Sequence, residues 1–260
     1  MARIFAITNQ KGGVGKTTTA VNLAASLSAS GSRVLLVDLD PQGNATMGCG
    51  INKRDLSKSV YHLLLGLETI KKIRKFSSNG KFDILPANRD LAGAEVELVD
   101  ETGREIRLKT ALAEIIGDYD YVLIDCPPAL NLLAVNALTA ADAVMIPMQC
   151  EYYALEGVSD LVNTVKKIRA NLNPRLEIEG LLRTMFDPRS TLAQQVSDQL
   201  KNHFGSKVYD TVIPRNIRLA EAPSYGQPAL MYDSSSKGAL AYLALANEIL
   251  RRHEKCQEAC

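Results

Sequence analysis

Short runs of apolar residues recur along almost the whole sequence, and segments with helical periodicity separate them. A strand that is buried on both faces has this continuous apolar character, and such strands belong to parallel sheets covered by helices. The sequence therefore predicts an α/β fold with a doubly wound, mainly parallel sheet and helices on both faces. The predicted strands are residues 3–8, 33–38, 82–86, 121–125, 143–147 and 178–185.

Two segments have the periodicity of amphipathic helices that would cover this sheet. Segment 17–30 ends before Gly31, a helix stop signal. Segment 236–255 could pack on the sheet or lie on a membrane surface. Packing is favoured, because its apolar face is mostly Ala and Leu and has no Trp or Phe. The expected apolar faces are Ala20, Leu23, Ala24 and Leu27 in the first helix and Leu240, Leu243, Ala246 and Leu250 in the second.

The composition is that of an ordinary globular protein. Of 260 residues, 46% are hydrophobic and 23% are charged, which excludes a disordered chain, a collagen and a coiled-coil rod. No repeat or long linker interrupts the pattern, so we expect one domain over residues 1–260. There is no CxxC pair, no signal-peptide pattern and no apolar stretch of about 18 residues, which predicts reduced thiols in a cytoplasmic protein. The five cysteines are Cys49, Cys126, Cys150, Cys256 and Cys260.

The net charge of +1 does not by itself indicate a nucleic-acid-binding protein. Any site for a polyanion must be a local patch and not the whole surface. The clearest local excess lies in residues 53–81, which hold eight Lys or Arg against two acidic residues.

A glycine-rich turn follows the first predicted strand and opens the first predicted helix, the context that a phosphate-binding loop requires. Its glycines let successive backbone N–H groups point into one concavity, and the helix N-terminus adds partial positive charge. Lys16 supplies a point charge for the β- and γ-phosphates, and the Thr17 hydroxyl suits Mg²⁺. The candidate nucleotide-binding residues of this loop are Lys11, Gly12, Gly13, Val14, Gly15, Lys16, Thr17 and Thr18.

The loop departs from the ordinary pattern GxxxxGK[ST] in two ways. Gln10 stands where that pattern has its first glycine, and Lys11 adds a second lysine. A second cation at this place must find a negative partner or remain in solvent. The residues alone leave both possibilities open.

Two predicted strands end in carboxylates at the same edge of the sheet. Asp38 ends one strand and Asp40 follows it, and Asp125 ends another. Such an acid can hold Mg²⁺ or its water shell, or orient an attacking water, although each alone is often only a turn or a helix cap. Beside the glycine-rich loop they fit one site, with Thr17, Asp40 and Asp125 as the candidate metal residues.

Five motifs together resemble the deviant Walker A ATPases, which are P-loop NTPases, and more closely their ParA/Soj chromosome-partitioning branch. The likeness covers nearly the whole chain. The motifs are KGGVGKTT at 11–18, LLVDLDPQGN at 35–44, VLIDCPP at 122–128, QCEYYALEG at 149–157 and TVIPRNIRLAEAPSYGQP at 211–228.

The resemblance implies roles for several residues around ATP or ADP and Mg²⁺. Lys11 would be the signature lysine, which reaches across an ATP-dependent sandwich homodimer to the other subunit's phosphates. With Lys16 and Asp40 it would form the catalytic set, Asp40 positioning the hydrolytic water from a switch segment. Asp125 would be the Walker B acid, acting on Mg²⁺ through water. Pro214 and Asn216 would lie at the nucleotide base.

The resemblance also implies the partners. The ATP dimer would bind double-stranded DNA without sequence preference and so associate with the nucleoid. Arg189 and Arg218 match the family's DNA-contacting positions. A ParB-like centromere-binding protein would stimulate an otherwise slow ATP hydrolysis and release the DNA. The basic segment 53–81 is favoured as a solvated face over a second DNA site.

Three relatives of this family provide alternatives. A MinD-like protein would be a membrane-surface ATPase scaffold that ends in a membrane-inserting helix, but bulky apolar residues are lacking after Leu250. A nitrogenase-iron-protein-like member would need a pair of cluster-binding cysteines. Cys126 lies near such a place without a second ligand and is favoured as a small buried residue at a turn. A metabolic ATP-dependent enzyme would need a pocket for a small-molecule acceptor.

Overall fold

A single eight-stranded sheet organises the protein. The computed structural model describes residues 2–258, and the side chains of residues 2–254. The prediction for Cys256 and Cys260 therefore falls outside the described side chains. The strands are β1 (Arg3–Ile7), β2 (Val34–Asp38), β3 (Lys75–Ser77), β4 (Phe82–Leu85), β5 (Tyr121–Asp125), β6 (Ala143–Gln149), β7 (Glu177–Phe186) and β8 (Val208–Pro214).

The strand order is β3-β4-β2-β5-β1-β6-β7-β8, and within residues 2–258 only the β3–β4 pair is antiparallel. The predicted doubly wound, mainly parallel α/β sheet is confirmed, and all six predicted strands are present. Strands β3 and β8 were not predicted. Both lie at sheet edges, where β3 is only three residues long and β8 contains polar residues and a proline instead of a continuous apolar run.

Twelve α-helices among the described residues flank or connect these strands. They are α1 (Lys16–Ala29), α2 (Asn44–Gly48), α3 (Val60–Leu64), α4 (Ile70–Ile73), α5 (Leu91–Glu97), α6 (Arg107–Leu112), α7 (Leu132–Ala140), α8 (Ala154–Asn171), α9 (Thr191–Phe204), α10 (Ile217–Glu221), α11 (Ala229–Tyr232) and α12 (Lys237–Glu258).

Each face of the sheet has its own apolar core. Successive strand side chains point to opposite faces, and β5 shows this directly. Val122 and Ile124 pack into a core covered by α3 and α5–α9, whereas Leu123 packs into the other core with α1 and α12. This two-sided burial explains why the central strands are continuous apolar runs.

Helix α1 has the apolar face that its sequence predicts: all four expected residues are fully buried. The predicted face of α12 is wrong in part. Leu240 is 52% exposed, while Tyr242 faces inward and its hydroxyl lies 3.0 Å from Thr19 Oγ1. Because α12 packs against α1, the residues that it buries lie mostly one position before the predicted ones. The buried residues of α12 are Ala239, Tyr242, Leu245, Ala246 and Ile249, with Glu248 beside them.

Three cysteines, Cys49, Cys126 and Cys150, are free and buried, and the burial of Cys126 agrees with its prediction as a small buried residue. Within residues 2–258, no helix combines the length and apolar character needed to cross a bilayer.

The basic segment 53–81 is partly neutralised by the chain's own acids. Glu68 pairs with both Lys58 and Lys72, and Arg74 lies between Asp83 and Asp118. These contacts agree with a solvated face.

The register of the central strands places the carboxyl ends of β1, β5 and β2 next to one another. Asp125 at the end of β5 is paired with Ile7 of β1 on one side and with Asp38 of β2 on the other. Ligands of open α/β sheets bind beyond these ends, where the strand order reverses. The predicted site residues therefore meet at one edge of the sheet.

Candidate functional site

The loop between β1 and α1 forms an open backbone cradle. Gly13 and Gly15 have φ values of +74° and +89°, a left-handed conformation that side chains disfavour. A Cβ on Gly12 or Gly13 would meet nothing within 4 Å, so the space beside these two glycines is open. The N-terminus of the fourteen-residue helix α1 follows directly.

Two side-chain contacts join this loop to neighbouring strands, and a third lies within the loop. Asn9 Nδ2 donates to the Pro147 carbonyl at 2.8 Å, and Asn9 Oδ1 accepts from the Lys11 N–H at 3.0 Å. The Thr184 hydroxyl donates to the Val14 carbonyl at 2.7 Å. Thr184 was not identified from the sequence, because it looks like one more residue of the strand β7. These contacts fix the position of the loop relative to β6 and β7.

Lys16 lies inside the site instead of reaching into solvent. It is only 7% exposed, and its ammonium group donates to the Lys11 carbonyl across the loop at 3.1 Å. Burial lowers the pKa of Lys16, while the charge of Asp125 acts in the opposite direction. A buried ammonium group with a single backbone acceptor favours the arrival of an anion.

Asp125 is fully buried, and neither of its carboxylate oxygens has a hydrogen-bond partner in the described part of the chain. Burial raises its pKa well above the ordinary value, and the charge of Asp38 raises it further. The Thr17 side chain, which approaches the carboxylate without the geometry of a hydrogen bond, lowers this pKa, and so does the charge of Lys16. A buried, unpartnered carboxylate beside a threonine hydroxyl is a polar group that a cation would satisfy.

Asp38 is also fully buried, but it is well partnered. Its Oδ2 accepts from the Thr46 N–H at 2.8 Å and from the Thr46 hydroxyl at 2.6 Å, and its Oδ1 accepts from the Asp40 N–H at 3.2 Å. Burial raises the pKa of Asp38 to about 6. This acid therefore holds the turn after β2 in place.

Asp40 is half-buried in that turn. Its Oδ1 accepts from the Gln42 N–H at 2.8 Å, and its carbonyl accepts from the Gly43 N–H at 2.8 Å. Its charge raises the pKa of Lys16, so the two groups share one site. Gly43 has a φ of +60°, and a Cβ there would lie 2.6 Å from the Ala87 carbonyl oxygen. Only glycine therefore fits this position of the segment.

These residues fit Mg²⁺ held together with phosphates. The unpartnered oxygens of Asp125 lie beside Thr17 and the open cradle. Across residues 2–254, no group of three or more His, Cys, Asp or Glu is arranged to hold a metal ion. An ion here would therefore take most of its oxygen ligands from phosphate and water, as Mg²⁺ in nucleotide sites does.

A cavity of about 170 Å³ adjoins the cradle. Gly15 and Thr18 line one side, and Pro214 and Asn216, the two residues expected at the nucleotide base, line the other. Asn216 Oδ1 also accepts from the Arg218 N–H at 3.0 Å, so it caps the short helix α10.

Lys11 forms an ion pair with Glu151, which answers the question of its partner that the sequence left open. Its ammonium group lies 2.5 Å from Glu151 Oε2, and both side chains are about half exposed. Glu151 was not identified as a site residue, although it belongs to one of the quoted motifs. The two residues that follow it, Tyr152 and Tyr153, are 76% and 71% exposed. The result is an exposed charged and aromatic surface next to the phosphate loop.

Arg189 and Arg218 lie in the chain segments that follow β7 and β8, at the same edge of the sheet as the cradle. Each is paired with carboxylates of its own chain. The structure thus places all the predicted site residues on one side of the molecule.

The model of the AAA domain family matches residues 2–178. An uncharacterized protein from Pseudomonas putida is 64% identical over 98% of this chain and 97% of its own length. The sporulation initiation inhibitor protein Soj of Bacillus subtilis is 56% identical over 96% of this chain and 98% of its own length. The chromosome partitioning protein ParA of Caulobacter vibrioides is 51% identical over 98% of this chain and 96% of its own length.

Solved structures include a cobyrinic acid a,c-diamide synthase from Mycobacterium smegmatis with bound ADP and magnesium. It is 40% identical, has a TM-score of 0.86, and the match covers 98% of this chain and 96% of that one. The septum site-determining protein MinD from Pyrococcus horikoshii, complexed with Mg-ADP, is 28% identical with a TM-score of 0.78 and 96% coverage of both chains.

Proposed function

This chain belongs to the ParA/Soj family of chromosome-partitioning ATPases, and from that premise we propose that it is an ATP-driven DNA-partitioning switch. ATP and Mg²⁺ would join two subunits, and the dimer would bind nucleoid DNA without sequence preference. Hydrolysis would then release it. One observation carries the nucleotide part of this proposal: the buried, unpartnered carboxylate of Asp125 beside the buried Lys16 and the open glycine cradle.

Each residue of the site has a role in this proposal. The backbone N–H groups of the cradle and Lys16 would hold the phosphates, and Thr17 and Asp125 would hold Mg²⁺, Asp125 through water. When bound, Mg²⁺ would neutralise charge that develops on the phosphate oxygens. Asp40 would orient the attacking water, and Pro214 and Asn216 would contact the base.

The surface beside the cradle supports a homodimer. Exposed aromatic side chains are unfavourable in water and are enriched at protein interfaces. Tyr152 and Tyr153 are such side chains, and they follow Glu151 directly. When a second subunit approached, Lys11 would leave Glu151 for the phosphates of the other nucleotide. Because the Lys11–Glu151 pair is half exposed, opening it costs little.

The placement of the two arginines supports DNA binding coupled to the nucleotide. Arg218 is the second residue of the helix α10, whose cap Asn216 lines the cavity expected to hold the base. Contacts from arginine to the phosphate backbone need no base recognition, so binding would be independent of sequence. A ParB-like partner would accelerate hydrolysis, which we expect to be slow in its absence.

Two other functions make different predictions. A membrane-surface scaffold, suggested by the likeness to MinD, would need a free apolar helix face, but the buried side of α12 is packed into the core. A metabolic synthase, suggested by the likeness to the cobyrinic acid a,c-diamide synthase, would turn over a small acceptor without DNA. Four relatives with 48–53% identity carry chromosome-partitioning names, which favours the partitioning function.

A DNA mobility shift with ATP, with ADP and without nucleotide tests the proposal. We expect the wild-type protein to shift DNA only with ATP, and Lys16→Ala to bind neither nucleotide nor DNA. Liposome sedimentation under the same conditions provides the contrast. ATP-dependent pelleting with lipid and no DNA shift would favour the membrane scaffold. Retained ATP hydrolysis by Lys16→Ala would show that the loop does not hold the phosphates.

A further inference from the structure

Arg189 is held by a carboxylate of its own loop. Its Nε and Nη2 donate to the two oxygens of Asp187 at 3.0 and 2.9 Å. This bidentate contact occupies two donors of the guanidinium group that could otherwise bind a phosphate in the same way. The side chain of Arg189 is 88% exposed. The hydrogen bonds from Arg189 hold the pKa of Asp187 at about 2, so this acid is charged at neutral pH.

Arg218 lies between two carboxylates. Its Nη1 donates to Glu221 Oε2 at 2.8 Å, and its Nε lies 3.3 Å from Asp233 Oδ2. The Tyr232 hydroxyl donates to Glu221 at 3.4 Å. The arginine is 45% exposed, so a phosphate could reach it only in competition with both acids.

The two arginines belong to one corner of the molecule. Phe186 at the end of β7 is in register with Pro214 at the end of β8, and the arginines follow these residues by three and four positions. The corner thus combines two arginines with three carboxylates that contact them. Its charge is not that of an open basic patch.

We propose that Asp187, Glu221 and Asp233 are internal counter-ions that compete with DNA phosphates for Arg189 and Arg218 and thereby limit the affinity for DNA. This inference rests on the proposed function, in which these arginines contact DNA. The new element is that the DNA-binding surface itself carries the carboxylates that weaken DNA binding.

The physical argument concerns what happens to a displaced carboxylate. Exposed ion pairs are weak, so a phosphate can replace the acid on the guanidinium group. The acid remains on the same short loop or helix, close to the incoming phosphate, and repels it. At about 6 Å in water this repulsion corresponds to about a threefold loss of affinity for each carboxylate. With one copy in each subunit of a dimer, the loss becomes about tenfold.

A purely structural role for these acids predicts the opposite sign. If Asp187 served to orient Arg189 for DNA, removing its charge would weaken binding. The substitution Asp187→Asn separates the two roles. In the native loop Asp187 Oδ1 accepts a hydrogen bond from the backbone N–H of Arg189 at 3.0 Å, and the amide oxygen of asparagine can still accept it.

The experiment measures binding of a short mixed-sequence duplex by the full-length protein loaded with a non-hydrolysable ATP analogue. We expect Asp187→Asn and Glu221→Gln each to raise the affinity by about three- to tenfold at low salt, and the gain to shrink as salt screens the charges. Dimerisation with the same analogue, measured by light scattering, should be unchanged.

Two controls isolate the effect. Glu114→Gln adds the same net charge at an exposed acid before β5, at the opposite edge of the sheet, and should leave the affinity unchanged. In an Arg189→Ala background, Asp187→Asn should give a smaller gain than in the wild-type protein, as a competition for that arginine requires.

The outcomes separate this inference from the proposed function. Wild-type binding with unchanged or weaker binding by Asp187→Asn and Glu221→Gln would overturn the inference alone. An equal gain from Glu114→Gln would overturn it too, since net charge would then be the cause. No DNA binding by any variant, including wild type, would overturn the proposed function and this inference with it.

Discussion

Replacing Asp125 with asparagine should stabilise the nucleotide-free protein while abolishing its magnesium-dependent activity. Asp125 is fully buried, its two oxygens have no hydrogen-bond partner among the described residues, and it lies beside the buried Asp38. The folded protein therefore carries an unsatisfied carboxylate that the unfolded chain exposes to water. An amide of nearly the same shape removes the charge and its desolvation cost.

The magnitude follows from that burial. Leaving a buried polar group unsatisfied costs about 1–3 kcal/mol, and more for a charged group. The attraction of Lys16 offsets part of this cost, so we take a gain of about 2 kcal/mol on substitution. For a chain of this length the gain should raise the melting temperature by about 4–8 °C.

Thermal unfolding with and without Mg-ATP provides the assay. Without nucleotide, Asp125→Asn should melt above wild type. With ATP and magnesium at about a hundred times its dissociation constant, wild type should gain about 2.7 kcal/mol and the variant clearly less. Asp38→Asn is the matched control. Its acid already accepts three hydrogen bonds, so the substitution should give little or no gain.

One result would refute the reasoning. If Asp125→Asn melted below wild type in the absence of nucleotide, the carboxylate would have to be satisfied in the folded protein, and its availability for a cation would lose its physical basis.

Three further substitutions test other parts of the site and fold. Gly43→Ala combines a strained φ with a Cβ placed 2.6 Å from the Ala87 carbonyl oxygen, so it should cost at least about 1 kcal/mol in urea unfolding and reduce ATP hydrolysis; a neutral effect would contradict the described turn. Lys11→Ala should prevent ATP-dependent dimerisation in light scattering, whereas Glu151→Gln, which removes only its partner, should permit it. Two lysines lower the pKa of Glu68 from 4.5 to about 2, so its stabilising contribution is present above pH 4.5 and lost as the pH falls toward 2. The stability difference between wild type and Glu68→Gln should therefore shrink between neutral pH and about pH 3, and a constant difference would show that the ion pairs do not contribute.

The central sheet and the phosphate loop could be predicted from the sequence because their signals are local. A strand buried on both faces must be apolar throughout, and the cradle needs glycines at fixed places. Strand β8 lies at the edge of the sheet and pairs with β7 on one edge only. Its sequence includes polar residues and is not apolar throughout. Strand β3 is too short to show any period.

Contacts between distant parts of the chain could not be predicted. Lys11 and Glu151 are 140 residues apart, and Thr184 is 170 residues from the loop carbonyl it binds. Which stripe of α12 faces inward depends on the shape of α1, so Tyr242 replaces Leu240 in the core. The arginines could be named from their motifs, but their pairing with carboxylates depends on how two loops fold.

In the proposed function, the short stretch from Pro214 to Arg218 would serve both the nucleotide base and DNA. Its beginning lines the cavity beside the phosphate loop, and the guanidinium group at its end is half exposed and paired with Glu221 and Asp233. A substitution that reshapes the wall to admit a larger or smaller base would also tilt the first turn of α10. We therefore expect the selectivity for the nucleotide base and the affinity for DNA to change together in variants of this stretch. A compound bound in the cavity should alter both.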